Sequence, residues 1–320
     1  MPRTITFITI NYHCCDLVLG LIESLASASD GSIHCIVVDN SPHDPDLAAL
    51  QGNENVTILY SDHNRGFGGG CNLALEYLQQ HDPQAIAWLI NPDARLLPGA
   101  VASIRHGLAT LPAPAVLGTR IQDDNGQLSF DLGRFEPRWG RLNHEPTDRA
   151  TMPQLGNEDA LDRCDWVSGC SMILDLAAIP LAPRFDERIF LYYEDAELCL
   201  RLGRQGIPSF VTRACLVSHS GSAVTSRYRA RKYRHATFGK LYLLHRHATL
   251  RGLAANVARF YASAVLGWPR DQEQALGRML GTTHYLIWAA RDRLTSRRRC
   301  DQHRQPGMRT QSAPDSTACS

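Results

Sequence analysis

Through its first third the chain alternates short apolar runs, broken by turn residues, with stretches in which apolar positions recur at helical spacing. Residues 4–10 (TITFITI) are β-branched and apolar, the pattern of a buried strand. From Asp16 onward Leu17, Val18, Leu21, Ile22 and Leu25 fall on one helical face. IHCIVVD predicts a second strand ending on the turn residues Asp39, Asn40, Ser41 and Pro42, and Val56–Tyr60 a third. Leu73, Ala74, Tyr77 and Leu78 predict a helix, and AIAWLI a fourth strand that ends on Asn91-Pro92-Asp93. Strands alternating with helices over 1–110 predict βαβ units and a mostly parallel sheet. Ligands of such sheets bind beyond the carboxyl ends of the strands. Asn11, Asp39 and Asp93 close the first, second and fourth strands and are therefore expected to converge.

From about 112 the regularity weakens. Residues 120–165 are rich in Gly, Pro, Asp and Arg and predict loops with one or two short strands. VSGCSMIL predicts a compact strand, EDAELCLRLGRQG a helix closed by Gly206, and SFVTRACLVSH a strand ending on His219. Helical patterns follow over about 228–250, 252–267 and 272–293, and a polar Arg-rich tail from about 295 is expected to be disordered.

The near-neutral total charge conceals a split. Of 33 basic residues 18 lie in 227–320, against only 5 of the 32 acidic ones. An acidic globular body with a basic terminal segment suits an anionic surface such as phospholipid. Eight Lys or Arg and no acid occupy 227–251, although a solvated basic face, or one folded back on the acidic body, fits the same pattern. Nucleic acid is not expected, because no zinc-finger, basic-zipper or RNP-type motif accompanies the charge. The ten cysteines contain no CxxC pair, and because MPRTITFITI runs directly into a strand pattern no secretory leader is expected. Both features fit reduced thiols in a cytoplasmic protein, and no apolar run is long enough to span a bilayer.

Five segments carry candidate chemistry. A carboxylate such as Asp93, at the tip of a buried strand, can hold a cation or serve merely as a turn former. NRGFGGGCN (64–72) follows a strand and opens a helix, as a phosphate-cradling loop would. It lacks the third glycine of the dinucleotide fingerprint, where Cys71 stands, and the Gly-Lys-Ser/Thr of a P-loop. Glu194 and Asp195 sit at a helix start, where they either complement the macrodipole or provide a general base. His219 ends a strand among small polar residues and is a candidate nitrogen donor to a cation. Trp166 reads equally as core or as a flat face for a sugar ring.

Taken in order, the opening strand with Asn11-Tyr12, VVDNS, NRGFGGGCN, LINPDA, DWVSGCSM, YYEDAELCLR and HSGS resemble the family-2 inverting glycosyltransferases with a GT-A fold, within their rhamnosyltransferase-like branch. The resemblance runs from residue 4 to about 245. It implies an α/β GT-A domain over 1–226, with a nucleotide-sugar half to about 110 and an acceptor half after it, then a basic helical extension over 227–294 and a tail over 295–320. It implies that Asp39 recognises the donor base, and that Asn11, Asn64, Arg65, Gly66, Gly68, Gly69, Gly70 and Asn91 line the nucleotide-diphosphate site. Asp93 and His219 would bind Mg²⁺ or Mn²⁺. Asp195 would be the base, with Glu194 beside it ordering the acceptor, and Trp166, Gly169 and Tyr193 would line the acceptor side. The implied reaction moves rhamnose from a dTDP- or UDP-sugar to a saccharide or polyprenyl-linked saccharide in polysaccharide synthesis, at the inner face of the cytoplasmic membrane. Galactofuranose or a hexose as the donor sugar, or a non-catalytic nucleotide-sugar or membrane-surface binding protein, remain alternatives. Asn91 stands where an aspartate is usual, leaving one carboxylate in this metal motif.

Overall fold

The computed structural model describes residues 3–28, 33–111, 114–144, 161–180, 182–221 and 229–303, with side chains to 295. The chain opens β1 (Ile5–Asn11), α1 (Cys15–Ala28), β2 (His34–Asp39), a 3-10 turn (Pro45–Leu50), β3 (Val56–Tyr60), α2 (Gly66–His81) and β4 (Ile86–Ile90). β1 and β4 are buried at every position, which is why their sequences are continuous rather than alternating apolar runs. β3, β2, β1 and β4 lie side by side and parallel, in that order. The chain moves outward from β1 to β3 and then crosses back to the other flank of β1. β1 and β4 therefore flank a switch point, where the carboxyl ends of parallel strands leave a crevice. Phe7 stacks on Trp88 across these two strands at 5.1 Å.

Beyond β4 the sheet becomes mixed. β5 (Ala94–Leu96), α3 (Ala100–Thr110), β6 (Val116–Gln122), β7 (Leu128–Phe130), β8 (Arg134–Glu136), β9 (Arg141–Asn143), β10 (Leu161–Cys164) and β11 (Ser171–Asp175) follow. β11 runs antiparallel between β4 and β6, and the indole of Trp88 donates to Ser171 Oγ at 3.0 Å across that junction. Then come α4 (Glu194–Arg204) and β12 (Ser209–His219), which pairs parallel to β6 and antiparallel to β10 and to β5. The region 120–165, expected to hold one or two short strands, contains four, β7 through β10, and the end of β6. Their residues alternate too briefly to announce themselves, and they form by pairing with β12, with one another and with β11.

Three helices close the described chain: α5 (Arg229–His247), α6 (Leu250–Gly267) and α7 (Gln272–His303). α5 buries Phe238, Leu241, Leu243 and Leu244, and α7 lies along it, with Gly277 and Gly281 fitted against the backbone of Ala230 and Arg234. α7 continues past 295, and residues 304–320 of the expected tail lie outside the described residues. Among the described residues no helix is long and apolar enough to cross a membrane.

Candidate active site

Asn91 and Asp93 follow β4 directly. The amide of Asn91 donates to the carbonyl of Cys170 at 3.2 Å, and Ala94 N–H donates to the carbonyl of Asn91 at 3.1 Å, closing the turn. The short β5 that follows is in register with the end of β12, His219 opposite Ala94. That pairing brings His219 Nε2 to 3.1 Å from Asp93 Oδ1 and 3.4 Å from Asn91 Nδ2. Asp93 is 8 % exposed. A separation near 3 Å is what two cis ligands at ~2.1 Å from one divalent cation adopt, so the pair fits as two ligands of such an ion. Among the described residues no group of three or more His, Cys, Asp or Glu side chains could hold a metal. The remaining ligands would have to come from substrate oxygens and water.

Asn11 and Asp39 meet at the neighbouring strand ends. Asn11 Nδ2 donates to Asp39 Oδ1 at 3.3 Å and to Asp44 Oδ2 at 2.9 Å. Asp39 also accepts from the amides of Ser41 (3.0 Å) and Asp44 (2.9 Å) and is fully buried. Its carboxylate thus holds the turn after β2. A polar hollow of about 150 Å³, lined by His13, Cys14, Asp16 and Asp44, opens beside it. The Cys14 thiol is pushed up to about 11 by burial, with the charges of Asp93 and Asp44 both adding to the shift. β1 lies between β2 and β4 and parallel to both, so the three strands end at one edge of the sheet.

The glycine run is not the loop expected of it. Gly66, Gly68, Gly69 and Gly70 are buried in the opening turns of α2. Gly66 has φ +73°, and a Cβ there would lie 1.9 Å from the Phe190 carbonyl oxygen. Gly68 faces Phe185, and Gly70 faces Ile10. These glycines let α2 press against β1 and the 185–190 segment, so close packing accounts for their spacing. Asn40 anchors the preceding residues. Its Nδ2 donates to Asn64 Oδ1 (3.2 Å) and to the Gly66 carbonyl (2.9 Å), while its Oδ1 accepts from Arg65 N–H (2.9 Å). Asn40 was legible only as a turn residue and Asp44 was not singled out, because their partners lie elsewhere in the chain.

The acidic pair opens α4. Tyr192 and Tyr193 precede it with φ of +70° and +72°, a conformation costly for residues with a Cβ. Asp195 accepts from Gly169 N–H (Oδ2, 2.9 Å) and from Ala196 N–H (Oδ1, 2.7 Å). Glu194 is 5 % exposed, and its Oε2 has no hydrogen-bond partner among the described residues. Burial raises both carboxyl groups, Glu194 further by the neighbouring charge of Asp195, while backbone N–H groups partly offset the rise at Asp195. Burial and the charge of Asp195 favour the neutral form of Glu194, while the two backbone N–H groups favour the ionised form of Asp195.

One peptide joins the two ends of the site. Gly169 holds Asp195 through its amide, and Cys170 holds Asn91 through its carbonyl. Burial pushes the Cys170 thiol up, and the charges of Asp93 and Asp195 both reach it. A Cβ at Gly169 would lie 3.0 Å from the Phe67 ring and 3.4 Å from the Asp195 Cβ, so the reversal between Trp166 and β11 is tightly enclosed. Trp166 sits in an aromatic cluster with Phe130 and His144, and Gly133 covers its ring so closely that a Cβ there would come within 2.5 Å of it. Its Nε1 has no hydrogen-bond partner among the described residues. Tyr193 has the Lys240 ammonium 5.9 Å above its ring.

Of the alternatives left open for the basic segment, α5 shows a face turned back on the body. On α5, Lys232 lies over Tyr192 and Lys240 over Tyr193, so this helix presents ammonium groups to the segment leading into the acidic pair, while His235 packs on Phe190 with its pKa lowered to about 4 by burial. The exposed apolar side chains lie instead on α6, α7 and the turn between them, including Val265, Leu266 and Trp268, then Met279, Leu280 and Ile287.

The family model described as Glycosyl transferase family 2 matches residues 6–160. The chain is 26 % identical to an N-acetylglucosaminyl-diphospho-decaprenol L-rhamnosyltransferase of Mycobacterium tuberculosis, over 71 % of this chain and 79 % of that protein. In fold it is similar to a mannosyltransferase of Pyrobaculum calidifontis in complex with GDP-Man and Mn²⁺, with TM-score 0.53, 12 % identity, and 89 % and 88 % of the two chains covered. It is also similar to GalNAc-T7 with UDP, GalNAc and Mn²⁺, with TM-score 0.53, 10 % identity and 74 % of this chain covered, although the chain spans about half (47 %) of that structure's length.

Proposed function

We propose that this chain, a family-2 glycosyltransferase of the rhamnosyltransferase-like kind with a GT-A fold, transfers rhamnose with inversion from a dTDP- or UDP-linked donor to a lipid-linked saccharide. The observation that carries the reading is the Gly169-Cys170 peptide, which joins a basic carboxylate, Asp195, to the Asn91–Asp93 turn. A group that removes a proton and a group that steadies a leaving diphosphate must face each other across the anomeric carbon, and this peptide sets both in one rigid frame.

In the reaction Asp195 takes the proton of an acceptor hydroxyl, whose oxygen attacks the anomeric carbon while the bond to the donor diphosphate breaks. The nucleoside diphosphate leaves, and the proton passes from Asp195 to solvent. Protonated Glu194 keeps the neighbourhood of Asp195 at a single negative charge and orders the acceptor. Asp93 and His219 would hold a divalent cation, Mg²⁺ or Mn²⁺, which when bound neutralises charge on the diphosphate. Asp39, through the turn it holds, and Asn11, Asn64, Arg65 and Asn91 form the nucleotide side, which the opening of α2 at Gly66, Gly68, Gly69 and Gly70 closes. Trp166, Gly169 and Tyr193 form the acceptor side.

The lipid-linked acceptor is taken from the mycobacterial relative's name, and the surface of α6 and α7 supports it. Val265 is 66 % and Leu266 75 % exposed, and the exposed Arg270 follows them in the turn into α7. Exposed apolar side chains next to a basic residue suit peripheral binding to an anionic bilayer, with α6 and α7 lying at the interface.

The deciding experiment offers a panel of nucleotide sugars with prenyl-linked and soluble saccharides, with and without Mg²⁺ or Mn²⁺. Transfer from dTDP-rhamnose, dependent on the cation, is expected. Failure of every sugar nucleotide to bind or turn over would sink the reading.

A further inference from the structure

Tyr192 and Tyr193 are the only consecutive non-glycine pair with positive φ among the described residues, and they immediately precede Glu194. Such a conformation persists only where the surroundings over-determine it. No capping side chain fixes the start of α4. Tyr193 occupies the cap position, and its carbonyl accepts the Glu197 amide at 2.9 Å. The direction in which Asp195 points is therefore set by the backbone at 192–193 and by the Gly169 amide. The opening of α2 holds one side of this segment, with Phe67 N–H donating to the Phe190 carbonyl at 3.2 Å. Helix α5 holds it as well. Lys232, His235 and Gly239 are spaced i, i+3 and i+7 and so share one face of that helix. Gly239 packs on the Tyr192 carbonyl so closely that a Cβ there would lie 2.4 Å from its oxygen. The ammonium groups of Lys232 and Lys240 lie 6.0 and 5.9 Å from the ring centroids of Tyr192 and Tyr193, and the His235 ring lies 4.6 Å from that of Phe190. The opposite face of α5 cannot retreat, because Gly277 and Gly281 of α7 are fitted there against the carbonyls of Ala230 and Arg234.

We propose that α5 belongs to the catalytic frame, with Lys232, Gly239 and Lys240 as positioning residues that hold Tyr192 and Tyr193 left-handed and so aim Asp195 at the acceptor hydroxyl. The carbonyl lodged against Gly239 fixes the plane of the Tyr192–Tyr193 peptide, from which α4 departs. The two cation–aromatic contacts fix the rings on either side of that peptide. Relaxing either tyrosine to an ordinary φ would turn the first residues of α4, and with them the carboxylate that Gly169 and Ala196 orient. A reacting group displaced by about 1 Å loses on the order of 10²-fold in rate, so this frame governs turnover rather than donor binding. It also gives the basic residues of α5 that face the body a task that a solvated helix face would not have. Because the same segment is tied to the opening of α2 through Phe190, the frame reaches from the base to the donor side.

The proposal rests on Asp195 as the base of the transfer reading for its kinetic test, and on geometry alone for its second. Gly239→Ala sets a methyl group against the Tyr192 carbonyl. It is expected to lower kcat by about 10²-fold, while KM for the donor and donor binding by calorimetry stay within about threefold of wild type. Lys240→Met keeps the aliphatic stem and removes the charge, and should lower kcat by about fivefold or more, with Lys240→Arg restoring it. This second substitution carries the test if Gly239→Ala does not fold. Undiminished kcat in the folded variants, or a loss of donor binding that matches the loss of rate, overturns the proposal. The other test needs no substrate. Amide hydrogen exchange is followed at Gly169 and Ala196, the two donors to Asp195, and at Arg65, whose amide Asn40 holds. Gly239→Ala and Lys240→Met should speed exchange at Gly169 and Ala196 by about tenfold and leave Arg65 unchanged. Unchanged exchange at the first two overturns the proposal, as does an equal rise at Arg65, which would mean general loosening. If no sugar is transferred by the wild-type chain, exchange still reads whether α5 fixes Asp195, so the two failures are told apart.

Discussion

His219 Nε2 stands 3.1 Å from Asp93 Oδ1 because a three-residue strand, Ala94–Leu96, pairs antiparallel with the end of β12. The proposed cation end of the site would therefore be made by sheet register, with Asp93 and His219 as its two ligands among the described residues. Loss of partners that merely orient metal ligands weakens binding ~10–100-fold, so loss of a ligand here should do at least as much. His219→Ala and Asp93→Asn are each expected to raise the Mn²⁺ concentration for half-maximal transfer by about 100-fold or more, read from metal titrations of initial rate. An unchanged metal requirement in both would remove these residues from the cation.

Asp195→Asn keeps an acceptor for the Gly169 amide but cannot take a proton. Transfer should fall by about 10²–10⁴-fold, while donor binding, measured by calorimetry, stays within a factor of three or so of wild type on the same argument. Wild-type turnover in this variant would exclude Asp195 as the base.

Glu194 links stability to pH. Its folded-state pKa is raised by burial and by Asp195, so its contribution is fully present below the unfolded-state value and is lost as pH rises through the folded-state value. Thermal unfolding between pH 4 and pH 9 should show a falling midpoint on the alkaline side. Glu194→Gln, which cannot ionise, should flatten that fall. A variant with the wild-type slope would place the titration elsewhere.

Gly66 combines φ +73° with a Cβ position 1.9 Å from the Phe190 carbonyl oxygen. Gly66→Ala should cost about 3 kcal/mol or more, from left-handed backbone strain of ~1–3 kcal/mol plus the displacement of Phe190. Urea unfolding measures the first effect. A drop in transfer rate at a temperature where the variant remains folded would report the displacement, because Phe190 lies five residues before Asp195.

Leu266→Asp and Leu280→Asp place charge on the exposed apolar face of α6 and α7 and bury nothing new. Co-sedimentation with vesicles containing anionic phospholipid should fall at least ~fivefold in each, since a carboxylate opposes both apolar insertion and the negative surface. Binding that survives both substitutions would move the lipid contact away from this face.

The strands and helices of residues 4–110 could be read from local pattern, because continuous β-branched runs and helical periodicity are set by neighbouring residues. Their parallel pairing also followed, and with it the crevice edge where Asn11 and Asp39 end their strands and Asp93 lies just beyond β4. What local pattern could not carry were contacts between segments far apart in the chain. NRGFGGGCN has the composition of a flexible loop, yet its glycines open a helix because β1 and the 185–190 segment press against them. The basic run at 227–251 identifies a cationic helix, but only packing decides that its lysines face Tyr192 and Tyr193 while the free apolar surface falls on α6 and α7. Residue types, charges and strand ends were fixed by covalent order and local propensity. The joining of Asp93 to His219, and of Asp195 to Asn91 through one peptide, was decided by sheet register and by the reversal into β11, which no local segment specifies.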